Sequence, residues 1–362
     1  MNGKVKIGII GTGMMGREHI RNLLLFPQVQ ITALTDPFPG SLEAAKASLG
    51  DQAGACMEFE TVEAMLEGAN LDAVIIASPN YTHRAVLEPL FKTDLAILCE
   101  KPLCTTLDDA RWAVAQSKSR KAIFWTGMEY RFMPPAARFI EQVAAGKVGR
   151  LVNLSIREHR FPFLVKVGDW NRFSRNTGGT MVEKCCHFFD LMRLIMGAEP
   201  VRVYCSGAMD VNHLDERYGG EVPDIIDNSY TVVDFEGGGR AMLDLNMFAD
   251  GAHNQEEIAA VGDRARLEVF IPDGDIIFSQ RVGFNNPKKV ERTHIAVDEA
   301  ALKAGSHHGA TYYQLEAFLK ALAGKGPVVV SAEDGLRAVA IGVAAEISAR
   351  EKRAVTMTEL GF

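Results

Sequence analysis

The sequence predicts two joined domains, a doubly wound α/β domain over residues 1–128 and an α+β domain with an open, largely antiparallel sheet over residues 129–362. Three observations predict this. The apolar run Val5 to Ile10 leads into Gly11-Thr12-Gly13-Met14-Met15-Gly16, and a second apolar run closes on Asp36 about twenty positions further on, the layout of a Rossmann dinucleotide-binding fingerprint. Up to about residue 128, short β-rich runs alternate with helical ones, as a parallel sheet requires. Beyond that point period-two runs dominate, and Gly237-Gly238-Gly239 separates two of them as a hairpin would.

In chain order, the β-rich runs lie near 5–10, 30–36, 56–59, 71–77, 95–100 and 122–128, with helical patterns near 16–26, 41–48, 62–68, 83–93 and 108–119 between them. The second domain reads as a helix over 135–145, a strand over 150–159 and one helix over 180–196. The hairpin over 230–236 and 240–248 follows, then runs at 257–261, 265–271, 275–281 and 292–297. Two amphipathic helices near 310–323 and 333–350 close the chain and can pack on either domain.

Composition narrows the function class. At 362 residues the chain exceeds what one hydrophobic core usually organises, and its 47% hydrophobic content supplies material for two. A net charge of -7 argues against nucleic acid as a partner, and no apolar run reaches the roughly 20 residues of a membrane span. Without a signal-peptide layout at the N-terminus, the expected location is cytoplasmic. The six cysteines are scattered without paired spacings, so neither a disulfide framework nor a metal site is expected.

Each residue type in the glycine turn has a physical task. Gly11 allows the tight turn, Gly13 admits a pyrophosphate close to the backbone, and Gly16 lets the helix pack closely on its strand. Asp36, followed by Pro37 with no arginine beside it, offers acceptors to ribose hydroxyls and repels a 2′-phosphate, which favours NAD over NADP.

Three further constellations carry possible chemistry. Ser78-Pro79-Asn80-Tyr81-Thr82-His83 follows the fourth strand at the carboxyl edge where ligands of such sheets bind. Asn80 suits a cofactor hydrogen bond, although the same residues also make ordinary turns and caps. Glu100-Lys101-Pro102 follows the fifth strand, and the proline pushes Lys101 toward extended geometry. Lys101 reads either as a group aimed at a substrate oxygen or as a solvated lysine. On one continuous helix, Glu183, His187 and Asp190 would share a face, placing a general base beside carboxylates. Thr180-x-x-Glu183 is equally a capping box, and His187 equally a core histidine.

A fourth segment, Arg157 to Thr177, is basic and aromatic within an acidic chain, and includes Arg157, Trp170, Arg172 and Arg175. It suits either a sugar-lining segment or a connecting loop packed by its aromatics.

Taken in order, the glycine turn, Asn80-x-x-His83, Glu100-Lys101-Pro102, Tyr130-Arg131-Phe132, the Gly178-Gly179 helix with Glu183 and His187, Gly305-Ser306-His307-His308-Gly309, and Ser348 ahead of Val355 resemble the glucose-fructose oxidoreductase / inositol dehydrogenase family (Gfo/Idh/MocA). The resemblance spans nearly the whole chain. It implies an NAD cofactor facing Gly11, Thr12, Gly13, Met14, Met15, Gly16, Asp36, Ser78, Asn80, His83, Glu100 and Lys101. It also implies a second domain that binds substrate and oligomerises as a dimer or tetramer. Lys101 resembles the family's active-site lysine and His187 its catalytic histidine, while Glu183 stands where many members carry aspartate. Tyr130, Arg131 and His308 join Arg157, Trp170, Arg172, Lys101, Glu183 and His187 as the expected substrate set.

The implied activity is NAD-dependent oxidation of a secondary hydroxyl of a sugar, sugar derivative or cyclitol. His187 would take the proton while Lys101 anchors the oxygen. The alternatives are an NAD-dependent, redox-assisted glycoside hydrolase and a non-enzymatic NAD- or ligand-binding protein.

Overall fold

The computed structural model describes residues 3–362. Its first sheet contains β1 (Val5–Ile10), β2 (Val29–Thr35), β3 (Met57–Phe59), β4 (Ala73–Ile76), β5 (Ala96–Glu100) and β6 (Phe124–Gly127), all parallel, in the order β3-β2-β1-β4-β5-β6. The order reverses between β1 and β4, so their carboxyl ends flank the crevice where such sheets bind ligands. The central strands are buried on both faces, with Ile7, Ile9, Val74, Ile75, Ile97 and Leu98 fully shielded. That explains why they read as continuous apolar runs without alternation.

The connecting helices are α1 (Met14–Leu23), α2 (Pro39–Ser48), α3 (Val62–Gly68), α4 (His83–Leu90) and α5 (Leu107–Lys118). Their starts follow local chemistry. Pro39 occupies the first turn of α2, Thr61 Oγ1 accepts from the Ala64 N–H to cap α3, and Thr106 Oγ1 does the same for α5 through the Asp109 N–H.

The second sheet has nine strands: β7 (Leu151–His159), β8 (Pro200–Ala208), β9 (Asn228–Phe235), β10 (Arg240–Asn246), β11 (Glu256–Gly262), β12 (Ala265–Ile271), β13 (Asp275–Gln280), β14 (Lys289–His294) and β15 (Val355–Thr356). Their order is β14-β13-β12-β11-β7-β10-β9-β8-β15, antiparallel except for the β7/β10 pair. The glycine run joins β9 to β10 as the expected hairpin. Burial alternates along β9 and β10: Thr231, Val233, Ala241 and Leu243 are buried, while Tyr230, Val232 and Met242 face outward. The sequence reading missed β8 and the short edge strand β15 that pairs with it.

The remaining helices are α6 (Pro134–Ala144), α7 (Ser174–Thr177), α8 (Thr180–Glu183), α9 (Cys186–Met196), α10 (Glu299–Ala304), α11 (Ala310–Leu322) and α12 (Ala332–Glu351). The expected single helix over 180–196 is two helices, interrupted at Lys184 and Cys185. There the Cys185 N–H reaches back to the Thr180 carbonyl and the Lys184 side chain turns inward.

The chain divides into two compact units, but not at a single boundary after residue 128. The first comprises residues up to Glu129 together with Lys166–Trp170 and Asp298–Val339; the second comprises Tyr130–Val165, Asn171–Val297 and Ala340–Phe362. Apolar matching explains the return of α11 to the first unit: Phe318 meets Trp125 edge-on and Tyr312 stacks on Phe26 at 4.7 Å. Among the described residues, no helix is long and apolar enough to cross a membrane.

Candidate active site

The glycine turn lies at the carboxyl end of β1. Gly11 has φ 86°, and a side chain there would meet the Ser78 backbone nitrogen at 2.4 Å. A Cβ on Gly16 would meet the Gly11 carbonyl oxygen at 2.1 Å, whereas one on Gly13 would meet nothing within 4 Å. The turn is therefore closed on its packing side and open at Gly13. Helix α1 begins at Met14 without a side-chain cap, two residues earlier than the sequence suggested. This leaves Met14, Met15 and Gly16 in the first turn, whose N–H groups lack intrahelical acceptors and suit a pyrophosphate.

Asp36 is committed to this turn. Its Oδ2 accepts from the Thr12 N–H at 2.7 Å and the Thr12 hydroxyl at 3.1 Å, and its Oδ1 accepts from the Phe38 N–H at 2.9 Å. After β4, the Asn80 side-chain amide nitrogen is buried without a hydrogen-bond partner, a polar group suited to an incoming ligand. His83 serves differently. Its ring is wholly buried, with Nδ1 2.9 Å from the Pro102 carbonyl and Nε2 3.2 Å from the Ser78 carbonyl, so it ties the two loops together. Burial lowers its pKa, partly offset by those carbonyls.

Glu100 is the last residue of β5 and is buried. Its Oε1 accepts from His19 Nε2 at 2.8 Å, and its Oε2 accepts from the Lys101 backbone N–H at 3.2 Å. Burial opposes its ionisation, but the His19 hydrogen bond and charge, with the Lys101 charge, hold the carboxyl below its ordinary value. Lys101 is half-buried beside this fixed anion.

The glycine-histidine segment before α11 meets α1. His307 Nδ1 donates to Glu18 Oε1 at 2.8 Å, the Ser306 hydroxyl lies 3.2 Å from Glu18 Oε2, and Thr311 Oγ1 lies 3.0 Å from Glu18 and 2.6 Å from Glu129. Burial works against the Glu18 carboxylate, yet His307, the Thr311 hydroxyl and the Ser306 backbone lower it to about 2. Glu129 moves the other way, raised by burial and by the neighbouring Glu100 and Glu18 charges. The Thr311 hydroxyl thus lies within hydrogen-bond reach of both carboxylates and ties Glu18 to Glu129. His308 is half-buried with φ 51°.

In the second unit, Glu183 ends α8 and His187 lies in the first turn of α9, both 2% exposed. They do not share one helix, and the capping box does not form. Gly179 is the N-terminal cap residue of α8, and the Thr180 hydroxyl donates instead to the Ile226 carbonyl at 2.6 Å. His187 stacks on Tyr130, ring centres 4.0 Å apart and planes 8° apart. Asp190 does not flank His187 as a free carboxylate: it receives a bidentate pair from Arg131, with Nε to Oδ2 at 2.5 Å. Arg131, expected to meet substrate, is thus engaged in a largely buried ion pair. Lys184, which the sequence reading passed over, donates to the Tyr130 hydroxyl at 2.6 Å and pairs with Glu158 at 2.8 Å. Its position directly before the cysteine pair carried no periodic signal, because the helix breaks there.

The basic aromatic segment divides. Arg157 pairs with Glu257 across β7 and β11, and Arg175 pairs with exposed Glu221. Arg172 is 2% exposed and donates from Nε to Glu216 at 2.8 Å. Glu216 feels some desolvation, but His213, Tyr218 and Arg172 lower it to about 2. Trp170, in the first unit, meets Tyr81 edge-on at 6.2 Å, next to Asn80, and Lys166 lies 4.4 Å above its ring.

Comparison with known proteins decides the family. Residues 5–128 match the NAD-binding Rossmann fold of the Gfo/Idh/MocA oxidoreductases, and residues 140–357 match that family's C-terminal α/β domain. The chain belongs to the Gfo/Idh/MocA oxidoreductase family. It is 28% identical to myo-inositol 2-dehydrogenase of Thermotoga maritima, over 98% of this chain and 99% of the relative. It is 24% identical to inositol 2-dehydrogenase of Rhizobium meliloti, again over 98% and 99%. Among solved structures, levoglucosan dehydrogenase in complex with NADH and levoglucosan shares the fold at TM-score 0.83 and 16% identity, over 98% of this chain and 99% of that one. As a Gfo/Idh/MocA member the chain is an NAD-binding oxidoreductase. Its open Gly13, uncapped α1 and unpartnered Asn80 amide fit that cofactor.

Proposed function

We propose that the chain oxidises a secondary hydroxyl of a cyclitol or related sugar with NAD, using His187 as general base and Lys101 to hold the reacting oxygen. The observation that carries the reading is that each unit holds one of the two groups on a matched motif in ordered surroundings. Lys101 follows the carboxylate of Glu100, itself gripped by His19, and His187 is held flat against Tyr130. The inositol dehydrogenases among the relatives support the substrate class.

In this reading the turn from Gly11 to Gly16 cradles the pyrophosphate through backbone N–H groups, Asn80 donates its amide, and Asp36 stands against a 2′-phosphate. Bound NAD supplies the hydride acceptor. The His187 imidazole accepts the hydroxyl proton, and the Lys101 ammonium donates to the same oxygen as negative charge develops on it. Burial of the His187 ring restricts its orientation and excludes water from it.

The test is NADH formation at 340 nm with myo-inositol, scyllo-inositol, levoglucosan and simple aldoses. Accumulation of NADH with a cyclitol is expected. Release of p-nitrophenol from aryl glycosides under NAD, without net NADH, would replace this reading with the redox-assisted hydrolase.

A further inference from the structure

Behind His187 the second unit buries an unusual set of charges. Glu158 on β7 and Glu256 on β11 stand directly opposite each other in register, and both are shielded from solvent. Lys184 enters between the helices α8 and α9, also nearly fully buried, and places Nζ 2.8 Å from Glu158 Oε1. Arg160 lies 3.6 Å from the same carboxylate. Two like carboxylates so placed cannot both ionise cheaply. Burial, the Glu158 charge and the Glu158 hydrogen bond raise Glu256 to about 8, with Lys184 and Gln255 opposing.

Burial of a lysine is costly unless its charge is used. Here the ammonium makes a second contact, donating to the Tyr130 hydroxyl at 2.6 Å while lying 4.8 Å from that ring's centre and 5.4 Å from the Phe188 ring. Phe188 in turn meets Tyr130 edge-on at 5.6 Å. The tyrosine ring is therefore gripped at its hydroxyl by Lys184 and wedged at its edge by Phe188. Its remaining face lies against the His187 imidazole at 4.0 Å and 8°.

We propose that Lys184 is a positioning residue for the base: anchored by Glu158, it holds Tyr130 so that the tyrosine ring fixes the plane of His187. The inference rests on His187 being the base, and it extends that reading by assigning the orientation of the imidazole to a lysine that does not touch it. An imidazole free to rotate about its side-chain bonds would present its accepting nitrogen to the hydroxyl proton for only part of the time, which lowers turnover without weakening substrate binding.

The imidazole itself supplies the probe. In protein labelled with 13C at histidine Cε1, with His187→Ala providing the assignment, the His187 Cε1–H resonance senses the ring current of Tyr130. The double variant Lys184→Met/Glu158→Gln removes both charges of this pair together, so neither partner is left alone in the core, while Arg160 keeps its contacts to the Phe161 carbonyl and ring. Its His187 resonance is expected to move toward the position of an unstacked imidazole. With myo-inositol and NAD, kcat is expected to fall about tenfold while KM and NAD affinity stay within about twofold. Tyr130→Phe, which removes only the hydroxyl that Lys184 grips, is expected to reproduce the displacement, and it carries the test if the double variant does not fold. A folded variant whose resonance and kcat both match the parent protein overturns the proposal. Normal turnover by His187→Ala would instead remove the base reading, and the resonance would still decide whether Lys184 holds the ring.

Discussion

Glu346 on α12 offers a quantitative test of how the loop ahead of His187 is held. Its Oε1 accepts from the Met181 N–H at 2.9 Å, and its carboxyl fills the space that a side chain on Gly179 would need. Burial raises its pKa from 4.5 to about 7, with the Met181 hydrogen bond pulling the other way. The folded state therefore binds this proton more tightly than the unfolded chain, and stability from this group falls as pH rises from about 4.5 through about 7. At about 1.4 kcal/mol per pH unit, the loss amounts to about 3 kcal/mol between pH 4.5 and pH 8.

Glu346→Gln mimics the protonated acid and removes the titration. Urea unfolding of parent and variant at pH 5, 6, 7 and 8 gives the difference in free energy at each pH, which cancels the titrations of Glu18, Glu216 and Glu256. The variant should gain on the parent with pH, by about 2.5 kcal/mol between pH 5 and pH 8 and mostly below pH 7, whatever constant offset the amide introduces. A difference that does not change with pH would refute the assignment of a buried, raised carboxyl to this position.

Other outcomes follow from the same geometry. NAD should bind more tightly than NADP at fixed ionic strength, because the Asp36 carboxylate at Thr12 opposes a 2′-phosphate; competitive fluorescence titration with both cofactors checks this. Lys101→Ala and His187→Ala should each lower kcat by at least about a hundredfold with NAD affinity nearly unchanged, read by steady-state kinetics and cofactor titration. Arg172→Ala should act on stability, costing about 2 to 3 kcal/mol in denaturant unfolding because it empties the space of a buried side chain and removes its hydrogen bond to Glu216, whereas Trp170→Ala, beside Tyr81, should raise the KM for substrate. Self-association should appear in sedimentation velocity at micromolar concentration and weaken in Tyr230→Lys, since Tyr204, Tyr230, Val232 and Met242 form an exposed apolar patch on the second sheet.

Local signals carried the first sheet far. Its strands are continuous apolar runs, helices α3 and α5 begin at the caps Thr61 and Thr106 and α2 at Pro39 in its first turn, and the glycine turn has a steric requirement at Gly11 and Gly16, so neighbouring residues alone announce these elements. The hairpin at Gly237 to Gly239 and the alternation along β9 and β10 were legible for the same reason. Tertiary structure decided the rest. It committed Arg131 to Asp190 and Arg172 to Glu216, residues that from sequence looked equally ready for a ligand. It broke the expected helix at Lys184, and it placed the 298–339 segment with the first unit. Such choices depend on which distant side chain arrives to neutralise a buried charge or cover an apolar face. Glu158 lies 26 positions before Lys184, and no periodicity within either segment records that the two will meet.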